Sequence, residues 1–413
     1  MKQKRALEIL KKGHNVLLTG AAGSGKTFVL NKFIRHLRKK EISGAITAST
    51  GIAATHINGR TIHSWAGLGI NHSFPDKVIK KIIRNKKIRK NIRQTKTLII
   101  DEISMLNDYH LDIIDHICKA IKQSLKPFGG IQIVLSGDFF QLPPISVSRG
   151  EGSFVNEAVI WNNMNLKVCY LTEQHRQADK KYLKFLNDMR SNNISKSTKD
   201  IVLTRLNKKI TNKLTATKLY THNFDVDTQN NNELKKIKKK AYGYEMKEKG
   251  QAKLIKTLKK NCLSPEYLIL KKGAIVMFVK NNLDKGYVNG TLGQVISFNE
   301  GFPVVKTLHG KRVLAKPTRW IVEEDNKELA SIHQIPLRLA WAITVHKCQG
   351  MTLDLAEIDL SASFTPGMGY VALSRLRKLS GLKLVGINEM AFAVSENAVK
   401  LDKELAKMSQ ENE

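Results

Sequence analysis

The sequence predicts an α/β fold, in which strand–helix–strand units build parallel sheets and a small β-barrel is inserted into the second such region. Three observations predict it. Over the first 170 residues short apolar strands alternate with amphipathic stretches, the rhythm of helices packed on a parallel sheet. The same rhythm starts again near Thr172 and resumes at Ile335–Thr344, Glu357–Leu360 and Leu382–Val385. Between these parts Ala274–Lys280, Gly293–Phe298, Val304–Leu308 and Arg312–Ala315 read as short strands, with His309-Gly310 as a hairpin turn.

Taken in order, the first region offers strands at Val16–Thr19, Ala45–Ala48, Leu98–Ile100, Ile131–Leu135 and Lys167–Leu171. Between the first two, Leu30, Phe33, Ile34 and Leu37 recur at i, i+3, i+4 and i+7, which sets them on one helical face against the sheet. The stretch Lys77–Lys96 interrupts the pattern with ten basic residues and no acidic one. Ile79, Ile82 and Ile83 share a helical face there, so it reads as a small helical insertion. The second region offers a helix at Tyr182–Arg190 and a strand at Leu219–Thr221.

The chain has 413 residues, with 69 Lys and Arg against 36 Asp and Glu, a net charge of +33. Such an excess calls for an anionic partner, and nucleic acid leads because each neutralised phosphate releases counterions. No apolar run approaches the ~20 residues of a bilayer span; the longest is Ala274–Val279, and no membrane partner is expected. The early apolar stretch Val16–Leu18 runs into a glycine-rich loop, so no signal peptide is expected either. Cys118, Cys169, Cys262 and Cys348 lie far apart without CxxC spacing, which argues against a disulfide scaffold or zinc site and for a reducing cytoplasm.

GAAGSGKT at Gly20–Thr27 fits the phosphate-loop pattern G-x-x-x-x-G-K-[ST] and stands between a strand and a helix. Gly20, Gly23 and Gly25 let backbone N–H groups curl around phosphate, and Ser24 belongs to the same nucleotide-binding set. Lys26 would reach the β- and γ-phosphates, and the Thr27 hydroxyl would ligate Mg²⁺. DEISM at Asp101–Met105 follows an apolar strand, which places Asp101 to hold the metal and Glu102 to polarise the attacking water. Alone, two adjacent acids more often cap a helix; the phosphate loop upstream reverses those odds. In GDFFQLPP at Gly137–Pro144, Gln141 is a candidate γ-phosphate sensor, while Phe139 and Phe140 are either core or a stacking face for a base. Arg176 in TEQHRQ and Arg375 in YVALSR are candidate charge-stabilising arginines. With no second phosphate loop, the second α/β domain is expected to supply such groups across an interdomain cleft.

In this order the motifs resemble the PIF-type (petite integration frequency) DNA helicases, the 5′-to-3′ branch of helicase superfamily one, over nearly the whole chain. Gln3 stands where that family has an adenine-reading Q motif, and TASTGIAA at Thr47–Ala54 with TIHSW at Thr61–Trp65 matches motif Ia. PFGGIQ at Pro127–Gln132 is family-typical, and WAITVHKCQGMT at Trp341–Thr352 looks like motif V. The resemblance implies two RecA-like motor domains, 1A (1–66 and 97–170) and 2A (171–234 and 333–413). It also implies a basic wedge insertion 1B (67–96) and an inserted SH3-like domain 2B (235–332). It implies ATP and Mg²⁺ as cofactors, single-stranded DNA and single/double-strand junctions as partners, and a monomer acting in the cytoplasm on nucleoid DNA. By the same resemblance Gln141, Arg176 and Arg375 contact the γ-phosphate with Gln349 and Gly350 nearby, and Ser49, Thr50, His63, Thr344 and His346 face DNA; Phe140, as a stacking face, is the further nucleic-acid-binding candidate. LTEQHRQ carries the motif IV arginine, Arg176, and His175 replaces the aromatic residue more usual before it. YVALSR at Tyr370–Arg375 looks like motif VI; the chain starts two residues before Gln3 and ends soon after that motif, so the terminal domains of longer relatives are expected to be absent. The rival readings are a single-strand translocase or RNA-directed helicase, and an ATP-gated nucleic-acid-binding switch.

Overall fold

The computed structural model describes residues 1–57, 59–69, 74–144, 153–177, 179–208, 217–221, 223–280, 282, 284–287, 291–307, 310–324, 327–345, 348–353 and 355–412. His309 of the expected hairpin turn and His346 lie outside them. The chain forms two compact units, one of Met1–Lys208, Thr352–Asp354 and Leu360–Glu413, the other of Lys209–Met351 and Leu355–Asp359.

In the first unit α1 (Gln3–Lys11) buries Ala6, Ile9 and Leu10 and leads into β1 (Val16–Gly20). Then α2 (Lys26–Lys39) buries Val29, Leu30, Phe33, Ile34 and Leu37, the expected apolar face. Next come β2 (Gly44–Ala48), α3 (Gly51–His56), β3 (Arg60–Thr61) and α4 (Ile62–Ala66). The basic stretch forms two helices, α5 (Asp76–Arg84) and α6 (Lys86–Gln94). They part at Asn85, whose side chain accepts from the Lys87 and Ile88 N–H groups and so caps the second. After them follow β4 (Thr97–Asp101), α7 (Asp108–Lys122), β5 (Gln132–Ser136), β6 (Lys167–Leu171), α8 (Lys180–Arg190) and α9 (Lys196–Leu203).

The six strands form one sheet in the order β3-β2-β4-β5-β1-β6, with every pairing parallel. VLLTG of β1 and TLIID of β4 are buried throughout, because inner strands of a parallel sheet are covered on both faces. The carboxyl ends of β1, β2, β4, β5 and β6 run into Gly20–Thr27, Ser49–Thr50, Asp101–Glu102, Gly137–Gln141 and Thr172–Arg176. Ligands bind along that edge in open parallel sheets.

The second unit opens with β7 (Thr217–Tyr220), α10 (Asn223–Lys236), β8 (Ala241–Glu245), β9 (Lys247–Gly250), α11 (Ala252–Asn261) and β10 (Tyr267–Lys271). It continues with β11 (Ile275–Phe278), β12 (Leu292–Asn299), β13 (Phe302–Thr307), β14 (Arg312–Leu314), β15 (Thr318–Glu324) and β16 (Lys327–Gln334). The last strands are β17 (Leu337–Leu339), β18 (Ala342–Thr344) and β19 (Ala356–Leu360). Strand β7 lies between β18 and β19, paired in parallel with both. The inserted part is antiparallel, with sheets β14-β13-β12-β11-β17, β15-β16-β9 and β10-β8. Val276, Phe278, Val295, Val305, Val313 and Leu337 are its core. The insertion therefore holds more strand than the four runs read from sequence.

The chain then returns to the first unit with α12 (Met368–Leu373), β20 (Leu382–Ile387) and α13 (Glu396–Gln410). Although the sequence rhythm starts a second α/β region near Thr172, residues 172–208 fall in the same compact unit as the phosphate loop. The Tyr182 hydroxyl donates to Leu373 O at 2.6 Å and Arg205 Nε to Leu382 O at 2.7 Å, tying α8 and the turn after α9 to the returning segment.

Candidate active site

The glycine arch between β1 and α2 is built by close packing. Gly23 is left-handed at φ 91°, and a Cβ there would meet the Cβ of Arg176 at 2.7 Å. Gln3 lies over the same arch, its Nε2 donating to Ser24 O at 3.1 Å while its backbone N–H donates to Glu173 Oε2 at 2.9 Å. Lys26 Nζ donates to Gly20 O at 2.7 Å and Ala21 O at 3.2 Å. Burial lowers the pKa of this lysine, against the pull of Asp138 and Glu102. Thr27, the second residue of α2, has an exposed side chain.

Asp101 ends β4, and Glu102 follows in a left-handed conformation, φ 51° and ψ 49°. Burial raises the Asp101 carboxyl. Burial and the charge of Asp101 push Glu102 up to about 7, with Lys26 and Arg375 pulling the other way. Ser24 Oγ is buried without a hydrogen-bond partner. An unsatisfied hydroxyl in a glycine arch, beside an ammonium and two crowded carboxyls, fits a phosphate group and a divalent cation. Thr27 and Asp101 are the residues that would hold the cation.

After β5, Asp138 is fully buried and Gln141 leans on it, Nε2 to Oδ2 at 3.5 Å. Asp138 pairs with Arg190 at 2.7 Å; burial alone would raise its pKa, but Arg190 and Lys26 hold it below the usual carboxylate range. Sequence reasoning missed Asp138, Arg190 and Tyr370, whose hydroxyl accepts the Ala22 N–H at 3.1 Å. Position inside GDFFQ was a signal for Asp138; Arg190 ends an ordinary amphipathic helix and had none.

Phe140 corrects an expectation. As a stacking face for a base it would need an open ring, yet it is 2% exposed, with the Arg190 guanidinium 4.2 Å from its centroid and Tyr370 against its edge. Phe139 is likewise core, edge-on to Phe154.

Both candidate arginines belong to the compact unit of the phosphate loop. The His175 N–H donates to Gly23 O at 3.1 Å, which seats the Arg176 segment on the loop. Arg176 Nη1 donates to Ser374 O at 3.1 Å. Arg375 is 1% exposed; its Nε donates to Val371 O and its Nη2 to Ser374 Oγ, both at 2.9 Å. This unit thus brings Gln3, Gly20–Thr27, Asp101, Glu102, Gln141, Arg176 and Arg375 to one edge.

Ser49 joins them, its hydroxyl donating to Glu102 O, while the Thr50 hydroxyl accepts the Ala53 N–H at the start of α3. His63 on α4 stands apart from the arch, edge-on to His110 at 4.6 Å between centroids, and burial lowers its pKa. Thr344, at the end of β18, is buried, as is Gln349 in the turn that carries Gly350 at φ 78°. These three lie in the second unit.

The family model described as PIF1-like helicase matches residues 2–212, and the one described as DNA helicase Pif1, 2B domain, matches residues 253–298. A relative from Psychrobacter, named ATP-dependent DNA helicase Pif1, is 41% identical over all of this chain and 72% of its own length. The chain spans about 60% of the length of vertebrate relatives of the same name. Among solved structures, Pif1 helicase from Candida albicans superposes with a TM-score of 0.84 at 34% identity, covering 98% of each chain. Pif1 helicase from Bacteroides, in complex with ADP-AlF3 and single-stranded DNA, superposes with a TM-score of 0.71 at 29% identity, covering 99% of this chain and 97% of that one. Full-length identity and the ordered motifs agree, and the chain belongs to the PIF1-like helicase family.

Proposed function

We propose that this chain is an ATP-dependent DNA helicase that travels 5′-to-3′ along single-stranded DNA and unwinds the duplex it meets. One observation carries the reading: the glycine arch holds a buried, unpartnered Ser24 hydroxyl and the Lys26 ammonium, and the Asp101–Glu102 pair ends β4 on the same edge of the sheet. Glu102 holds the proton-accepting position for water, Lys26 and the arch amides bind phosphate, and Arg375 and Arg176 neutralise charge that builds on the leaving group. Mg²⁺, held by Thr27 and Asp101, would add Lewis-acid stabilisation of the same phosphates. Ser49, Thr50 and His63 lie on the segment that grips the DNA backbone, and the protein works as a monomer at single/double-strand junctions.

The test is unwinding of duplexes with either a 5′ or a 3′ single-stranded tail, with and without ATP. ATP-dependent opening of the 5′-tailed duplex alone is the expected result. Opening of only the 3′-tailed duplex overturns the direction. DNA-stimulated hydrolysis without opening makes the protein a translocase or an ATP-gated switch.

A further inference from the structure

A buried polar knot joins the phosphate loop to the helix that leads to Arg375. Tyr370 on α12 is 1% exposed. Its hydroxyl accepts the Ala22 N–H at 3.1 Å and an Arg190 Nη1 hydrogen at 3.1 Å, and donates to Asp138 Oδ2 at 3.4 Å. A phenol has one donor and two lone pairs, so this one is fully engaged. Arg190 is fixed in turn by Asp138 at 2.7 Å, Asp402 at 2.9 Å and the ring of Phe140. The helix has no room to slide. A Cβ at Gly367 would meet Phe140 O at 2.7 Å, and one at Gly369 would run into the Ala391 carbonyl. Arg375 folds back on the same helix through Val371 O. One wedged element therefore carries the loop contact at one end and the arginine at the other.

We propose that Tyr370 is a positioning residue for ATP hydrolysis, whose hydroxyl, aimed by Arg190 and Asp138, holds the Ala22 arch of the phosphate loop in register with Arg375. The inference rests on the ATPase reading of this site. The hydroxyl carries out no chemistry itself. It acts by fixing the distance between the group that binds phosphate and the group that neutralises developing charge, a distance on which rate depends steeply.

Tyr370→Phe removes one oxygen and keeps the ring. In the full chain with saturating single-stranded DNA, kcat should fall about three- to tenfold, the worth of one buried hydrogen bond, while KM for ATP stays within about twofold. In an Arg375→Ala background the same substitution should cost nothing further, because no arginine is left to position. Arg190→Lys keeps the charge beside Asp138 but loses the fork, and should show the same signature if Tyr370→Phe does not fold. Wild-type kcat in the variant overturns the proposal. So does a loss that multiplies with Arg375→Ala, or one that appears only as a raised KM with a lowered Tm. Absence of DNA-stimulated hydrolysis in the wild type would instead remove the ATPase reading, and the proposal with it.

Discussion

The Ser49 hydroxyl donates to the backbone carbonyl of Glu102 at 2.7 Å, and the Ser49 N–H donates to Asp101 O at 3.1 Å. The loop that follows β2 is thereby sewn to the peptide that carries the candidate general base. Glu102 is left-handed, a conformation that costs a non-glycine residue ~1–3 kcal/mol and persists only where neighbours over-determine it. Ser49 is one such neighbour. With Ser49→Ala the hydrolysis rate without DNA should stay within about twofold, whereas its stimulation by an oligonucleotide should drop about three- to tenfold. A coupled ATPase assay with and without single-stranded DNA measures both. Undiminished stimulation would show that this bond does not join the two loops functionally.

Lys26 has two backbone carbonyls as partners, Gly20 O and Ala21 O, and Ala21 O also accepts the Ser24 N–H at 3.1 Å, so the arch does not depend on the lysine alone. Lys26→Ala should therefore fold, lose at least ~10²-fold in ATP turnover, and bind single-stranded DNA within about twofold of wild type. Turnover and fluorescence anisotropy with a labelled oligonucleotide test the two halves. Retained hydrolysis would dismiss the assignment of the phosphate site.

Burial and Asp101 lift the Glu102 carboxyl from an ordinary 4.5 to about 7. Below pH 4.5 folded and unfolded chains both keep the proton, and the residue is neutral to stability. Between 4.5 and about 7 the unfolded chain releases it while the folded chain retains it, so stability falls as pH rises. Above about 7 the full penalty applies. Glu102→Gln does not titrate. In EDTA and without nucleotide it should match wild type near pH 4.5 and exceed it at pH 8 by on the order of 1–3 kcal/mol. Urea titrations at the two pH values check this, and equal stability at pH 8 would mean that the carboxyl is better solvated than the fold implies.

The parts of this structure that are legible in sequence are those where one local requirement dictates residue type. Inner parallel strands must be apolar on both faces, which exposes β1 and β4 as unbroken runs. An arch that approaches phosphate needs glycine, which exposes Gly20–Thr27. Where two distant segments decide an outcome together, the sequence is silent. Phe140 reads equally well as core or as a platform for a base until Arg190, arriving on α8, covers it. The knot of Asp138, Arg190, Tyr370 and Asp402 draws on four segments that no spacing relates. Strands β15 and β16 hide for another reason, since Arg319 and Glu328 pair on their exposed surface and give the run the charge of a loop. The single helical insertion becomes two because Asn85, unremarkable in a lysine-rich run, can cap a helix.

Those two helices carry Lys77, Lys80, Lys81, Arg84 and Lys86 as exposed residues, and bury only Ile82 and Ile92 well. No acidic residue occurs from Lys77 to Lys96, so the helices present a cationic face suited to a polyanion, and the proposed function makes that a DNA backbone. Such a contact is electrostatic and follows counterion release, with a slope of log K against log salt of ~0.7 per neutralised phosphate on a single strand. Replacing Lys77, Lys80, Lys81 and Lys86 with Gln should lower that slope by about 1–3 and weaken binding most at low salt. Turnover at saturating DNA should not change, because the substituted positions stand outside the glycine arch and its partners. Anisotropy titrations across a salt series, paired with ATPase at saturating oligonucleotide, read both quantities. An unchanged slope would make the face a solubilising surface, while a turnover loss with the slope intact would mean that the helices act through the fold of the motor rather than on the strand.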